Sequence, residues 1–209
     1  MKSIDKLIDI IKALRAPNGC PWDREQTHAS IRGHLVEECA ELLEAIDLNS
    51  TEKMREELGD VLMHIALHSE IATEEGRFTL DDVVNELNEK LVRRHPHVFA
   101  DKTAFSSDDV LKIWQQVKTE EKKERVVGKL FDGIPPTLSA LRYAYDVAKK
   151  ADTTLLDDVN KTSLSDKKIL AGKKIFDAVR DALADKIEPE SALRDYILEI
   201  RKSAEKRGI

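Results

Sequence analysis

The residues of this chain best suited to chemistry are two acidic pairs, Glu38-Cys39-Ala40-Glu41 and Glu57-Leu58-Gly59-Asp60. Carboxylates three residues apart lie on one face of an α-helix. The pairs are also symmetric about Asn49, with Glu41 and Glu57 eight residues to either side and Glu38 and Asp60 eleven. A helical hairpin turning at Asn49 would bring all four level. Carboxylates gathered at the border of an apolar core raise each other's pKa unless a cation neutralises them. A hard divalent ion, Mg²⁺ with Mn²⁺ as a substitute, is the natural partner, and its habit of sharing its shell with phosphates points to phosphate-ester or anhydride chemistry. Acidic pairs are also common on solvated helix faces, and spacing alone leaves that alternative open. A di-iron site competes less well, because it needs Glu-x-x-His motifs and neither acidic helix carries one. His64, four residues after Asp60, is either an outer partner of the metal site or a histidine at the core edge.

The elements that must position these groups are all helical. Ile4, Leu7, Ile8, Ile11 and Leu14 recur at helical spacing and predict a first helix over residues 3–15, followed by a loop, GCPWDREQT. Ile31, Leu35, Cys39, Leu42 and Ile46 mark a second helix over 28–48. Met54, Leu58, Val61, Leu62 and Ile65 give a third one buried stripe, with Ser50 or Thr51 as its cap and Gly76 as its end. Thr79-Leu80-Asp81-Asp82 opens a fourth that runs to His95, where Pro96 discourages continuation, and Ser106-Ser107-Asp108-Asp109 opens a fifth. Gly128, Gly133, Pro135 and Pro136 then punctuate a linker, and residues 137–150, 166–187 and 189–207 read as three further helices. No segment alternates as a strand would.

Composition narrows the function classes. The 209 residues are 35% charged and only 5% aromatic, a usage that favours helices. A formal charge of −6 offers no general basic field for a nucleic acid polymer. No apolar run reaches the ~18 residues of a membrane span, and the amphipathic N-terminus is unlike a signal peptide. Cys20 and Cys39 have neither metal-ligand spacing nor disulfide density, which suits a soluble protein of the reducing cytoplasm.

Over residues 5–125 the chain resembles the MazG family of all-α nucleoside-triphosphate pyrophosphohydrolases. The likeness rests on EECAE and EELGD, which match the family's EExxE…ExxD signature, with NGCPWDREQT before them and EKLVRRHPHVF and WQQVK after them. The resemblance implies an all-α bundle whose core is completed by homodimerisation. It implies hydrolysis of a nucleoside triphosphate to monophosphate and pyrophosphate, with Mg²⁺ held by Glu38, Glu41, Glu57 and Asp60. It also places Lys90, Arg94, Trp114 and Lys118 around the nucleotide. Lys90 with Arg94 and Trp114 with Lys118 are i,i+4 pairs, so each can present one face to a ligand. The cations would offset triphosphate charge, while Trp114 could stack on a base or pack in the core. Trp22 is expected to anchor its loop.

The expected organisation is a catalytic domain over residues 1–125 and a helical region over 126–209. The latter faintly resembles a worn second repeat, with Lys173 where a ligand aspartate would stand and no EExxE before it. In the mechanism expected, Glu38 orients or deprotonates the attacking water in preference to Glu37, which projects farther from the apolar stripe. Glu41 shares the catalytic cage, and Lys90, Arg94 and Lys118 stabilise the leaving pyrophosphate. The alternative is a non-catalytic regulator that binds nucleotide in the same cage, and behind it a purely helical assembly module.

Overall fold

A computed structural model describes residues 2–123, 129–152, 155–156 and 166–207. The regular elements among those residues are all helices, with no strand. The chain divides into two compact units, Met1–Glu121 and Lys122–Ile209. The boundary expected between residues 125 and 126, and Gly128 beside it, lie outside the described residues.

The first unit begins with α1 (Lys2–Arg15), α2 (Pro21–Glu25), α3 (Arg32–Asp47) and α4 (Thr51–Glu74). It continues with α5 (Leu80–Arg94), α6 (Pro96–Phe99) and α7 (Ser107–Lys123). Helices α3 and α4 form the expected antiparallel hairpin. Its turn is three residues: Leu48 closes α3, Asn49 takes the left-handed conformation with φ 51°, and Ser50 caps α4 by accepting from the Lys53 N–H. Asparagine tolerates that conformation better than most side chains. Gly76 ends α4 with φ 67°, and Thr79 and Asp82 make the reciprocal capping box of α5.

The core sits where α1 crosses α4 over the entry to α3, with Ile11, Ile31, Ala66, Leu67 and Ile71 buried and Leu7, Leu14 and Met63 packed around them. Burying an isoleucine or leucine in this way contributes about 1.5–3 kcal/mol. Arg15 ties the surrounding elements together. Its guanidinium donates to Glu74 at 2.7 and 2.8 Å and to the backbone carbonyls of Asp23 and Gln26, joining the end of α1 to α4 and to α2.

Three expectations change. The segment GCPWDREQT contains α2, because Pro21 at its first turn needs no N–H partner and fixes φ for the helix. The second expected helix starts at Arg32 and not at His28, because Thr27 and Ser30 bond each other's side chains and backbone in a turn before it. The stripe expected to be buried on α4 is largely open: Leu58 is 53% and Ile65 43% exposed. The buried face of α4 lies farther along, at His64, Ala66, Leu67, Ser69, Ile71 and Ala72.

In the second unit α8 (Ala140–Ala148) packs on α9 (Lys167–Ala184) and α10 (Pro189–Lys206), around Tyr145 and Val179. Ser139, Asp166 and Glu188 cap the three helices.

Candidate metal and nucleotide site

The hairpin places Glu38 and Glu41 on α3 opposite Glu57 on α4. One carboxylate oxygen from each can be chosen so that all three lie within 4.8 Å of one another. Glu57 is buried, Glu38 half-buried and Glu41 exposed, so the cluster opens from the hairpin seam toward solvent. Asp60 is half-buried on the same helix one turn farther from the hairpin turn, and its oxygens are not part of this close group. Its side chain is one methylene shorter than glutamate, which limits its reach. Its charge still weighs on Glu57.

Burial raises the Glu57 pKa, and the charges of Glu41, Glu56, Asp60 and Glu38 raise it further. Among the described residues none of Glu38, Glu41, Glu57 or Asp60 pairs with a basic side chain. Three carboxylates converging without an internal cation make a hard-oxygen donor set that fits a divalent ion. Glu37 is committed elsewhere, its carboxylate 3.1 Å from His34 Nδ1 on the exposed face of α3.

A second grouping forms between α5 and α7. The Arg94 guanidinium lies 5.4 Å and the Lys118 ammonium 4.7 Å from the centre of the Trp114 ring. Both cations thus meet the indole π-face, whose quadrupole attracts them. Arg94 also donates to Glu121 at 2.6 and 3.2 Å, and Arg93 donates to the same carboxylate at 2.7 Å. The two guanidinium groups hold Glu121 down at about 2. Lys90 stands one turn before Arg94 on α5, half-buried.

Sequence reasoning missed Glu121, which joins Arg94 across 27 residues that no local pattern connects. It also missed a pair of imidazoles, His28 and His68, whose Nδ1 atoms are 2.7 Å apart. His64 is a core histidine at 3% exposure, its ring 6.3 Å from that of His68. Trp22 is 56% exposed and therefore does not anchor its segment in the core. Lys173, expected where a worn second repeat would have a ligand aspartate, pairs with Asp177 on α9.

Residues 26–99 match the MazG nucleotide pyrophosphohydrolase domain family. Over 198 residues the chain is 38% identical to the nucleoside triphosphate pyrophosphohydrolase of Escherichia coli K12, a match covering 94% of this chain and 75% of that protein. It is 44% identical over 153 residues to the nucleoside triphosphate pyrophosphohydrolase/pyrophosphatase MazG of Thermotoga maritima, covering 73% of this chain and 58% of that one. It is 51% identical over 140 residues to the protein YabN of Bacillus subtilis, of which it spans 28%. The chain thus spans less than two thirds of the length of the last two. The crystal structure of a mazG-related protein from Thermotoga maritima matches 55% of this chain and 98% of that one, with a TM-score of 0.48 and 27% identity.

Proposed function

Because the chain belongs to the MazG family of nucleotide pyrophosphohydrolases, we propose that it hydrolyses nucleoside triphosphates to nucleoside monophosphates and pyrophosphate. The observation that carries this reading is the convergence of Glu38, Glu41 and Glu57 without a basic partner, at the seam of the α3–α4 hairpin. These three, with Asp60 beside Glu57, would hold Mg²⁺, for which Mn²⁺ could substitute. When bound, the ion would polarise the α-phosphorus and lower the pKa of a water molecule.

The protein's own groups do the rest. Glu38 is the half-buried carboxylate best placed to accept a proton from the attacking water, since Glu37 is engaged with His34. Lys90, Arg94 and Lys118 supply positive charge for the pyrophosphate leaving group, and Trp114 offers a π-face to the base. Glu121 already neutralises Arg94, so a triphosphate must compete with that carboxylate.

A homodimer completes the proposal. Leu58, Leu62 and Ile65 on α4, and Val84, Leu87 and Leu91 on α5, are each between 36% and 53% exposed. These two apolar stripes at helical spacing would be covered by a second copy of the chain. No described helix is long and apolar enough to cross a membrane, and the net charge of −6 disfavours a nucleic acid polymer as partner. Residues 1–125 would carry the chemistry, and residues 126–209 would be a degenerate repeat serving packing.

A panel of nucleoside triphosphates, scored for monophosphate and pyrophosphate with and without Mg²⁺, tests the reading. Glu41→Gln and Asp60→Asn should each lower the rate at least about 100-fold, the loss typical of a group that stabilises the transition state directly. A rate within a few-fold of the parent would remove the proposed site. Nucleotide bound and returned unchanged would instead make the protein a regulator.

A further inference from the structure

His28 lies in the turn that leads into α3, and His68 lies on α4. Their Nδ1 atoms are 2.7 Å apart, their ring centres 5.1 Å, and their planes 5° from parallel. Rings stacked face to face cannot bring two nitrogens that close. The three values fit together when the rings lie nearly in one plane, nitrogen facing nitrogen, so that the centre-to-centre distance is the N···N gap plus one ring radius at each end. This is a hydrogen bond with room for one proton. A metal suits the gap poorly, because two Zn²⁺-bound nitrogens at ~2.0–2.1 Å in a tetrahedral shell stand about 3.3 Å apart with converging lone pairs.

We propose that His28 and His68 form a one-proton clasp that fastens the entry of α3 to α4 and opens when both facing nitrogens are protonated, making the hairpin and the carboxylates it carries sensitive to acid. In the neutral pair one Nδ1 donates and the other accepts, the roles being set by the tautomers of the two rings. One added proton can be held on an outer nitrogen while the bridging proton remains, and His28 Nε2, which has no hydrogen-bond partner, faces Glu75 at 3.8 Å. Arg77 holds Glu75 ionised, so that imidazolium is supported and the bridging proton stays in place. A second added proton must go to the Nδ1 that had been accepting. Two N–H groups then point at each other across 2.7 Å, and the contact breaks.

The surroundings decide when this happens. Burial lowers the His68 pKa, and the neighbouring His28 and His64 lower it further. From α1, Arg15 grips the carbonyls of Asp23 and Gln26 and pairs with Glu74, so its charge is balanced there. A histidine whose folded pKa is depressed binds fewer protons in the folded than in the unfolded chain. Its stabilisation is therefore complete above the ordinary value of 6.5 and is lost as pH falls through the folded value. The consequence reaches the site because Ile31, three residues after His28, is the core anchor of α3, at 1% exposure.

The experiment measures melting temperature against pH for the full chain without nucleotide, between about pH 8 and about pH 5, where histidine titrates. The parent should lose about 2–4 °C across this range through the clasp. His28→Phe and His68→Phe should each flatten that loss, and the double variant should be no flatter than either single. An unchanged slope in either single variant, or flattening that adds in the double, overturns the clasp. Nitrogen NMR of the parent covers the case in which a variant fails to fold. A coupling across the hydrogen bond between the two Nδ1 nuclei that disappears on acidification supports the proposal, and its absence near neutral pH overturns it. Stoichiometric Zn²⁺ binding lost in His68→Phe overturns it too, by making the pair metal ligands. None of these readouts depends on turnover, so the clasp and the proposed hydrolysis can fail separately.

Discussion

Glu57 is the residue on which the site's conflict of interests falls, being buried against the hairpin seam with four other carboxylates raising its pKa. A raised carboxylate binds more protons in the folded chain than in the unfolded one. Metal-free protein should therefore lose stability as pH rises from the ordinary value of 4.5 through the folded one. Glu57→Gln should raise the melting temperature of the metal-free protein by roughly 2–4 °C and abolish any further rise on adding Mg²⁺. Calorimetry with and without the ion checks both halves. Glu38, Glu41 and Glu57 were legible in the sequence because helical spacing and a turn at Asn49 dictate where their backbones go. How far each side chain reaches is not set by spacing, so Asp60 fell outside the close group. The pairing of Arg94 with Glu121 could not be read at all, since it depends on how α5 and α7 approach each other.

At the scale of elements, helix ends were read most reliably where a side chain closes them, as Ser50, Thr79 and Asp82 do. The short helices α2 and α6 were missed because a single turn has no periodicity to detect, only a proline at its start. Gly19 governs the passage from α1 to α2. A Cβ there would stand inside van der Waals contact with the carbonyl oxygens of Ala13 and Leu14, which are backbone and cannot swing aside. Gly19→Ala should therefore cost about 2–4 kcal/mol, measurable by urea unfolding. Between α5 and α7 the link is electrostatic. Glu121 titrates at about 2, below its ordinary 4.5, so its contribution is present above that ordinary value and disappears as pH falls toward 2. Hydrogen exchange in α7 should accelerate over this interval, and Glu121→Gln should show the acceleration already at neutral pH.

For the molecule as a whole, the stripe of α4 was read as buried, and in the single chain its Leu58, Leu62 and Ile65 are open. Periodicity identifies a face that avoids water but not which chain covers it. Leu62→Asp should convert the proposed dimer to monomer, with sedimentation giving the mass of one chain in place of two, and should reduce turnover with it. The hairpin turn also has a kinetic consequence. Glu41 and Glu57 are only 16 residues apart in sequence, whereas Ile11 and Ile71, which meet in the core, are 60 apart. Closing the shorter loop costs less entropy and precedes the longer contact. As the chain leaves the ribosome, the carboxylates can assemble before α1 has found its place, and a divalent ion captured at that moment would act on the folding route as well as on the finished protein.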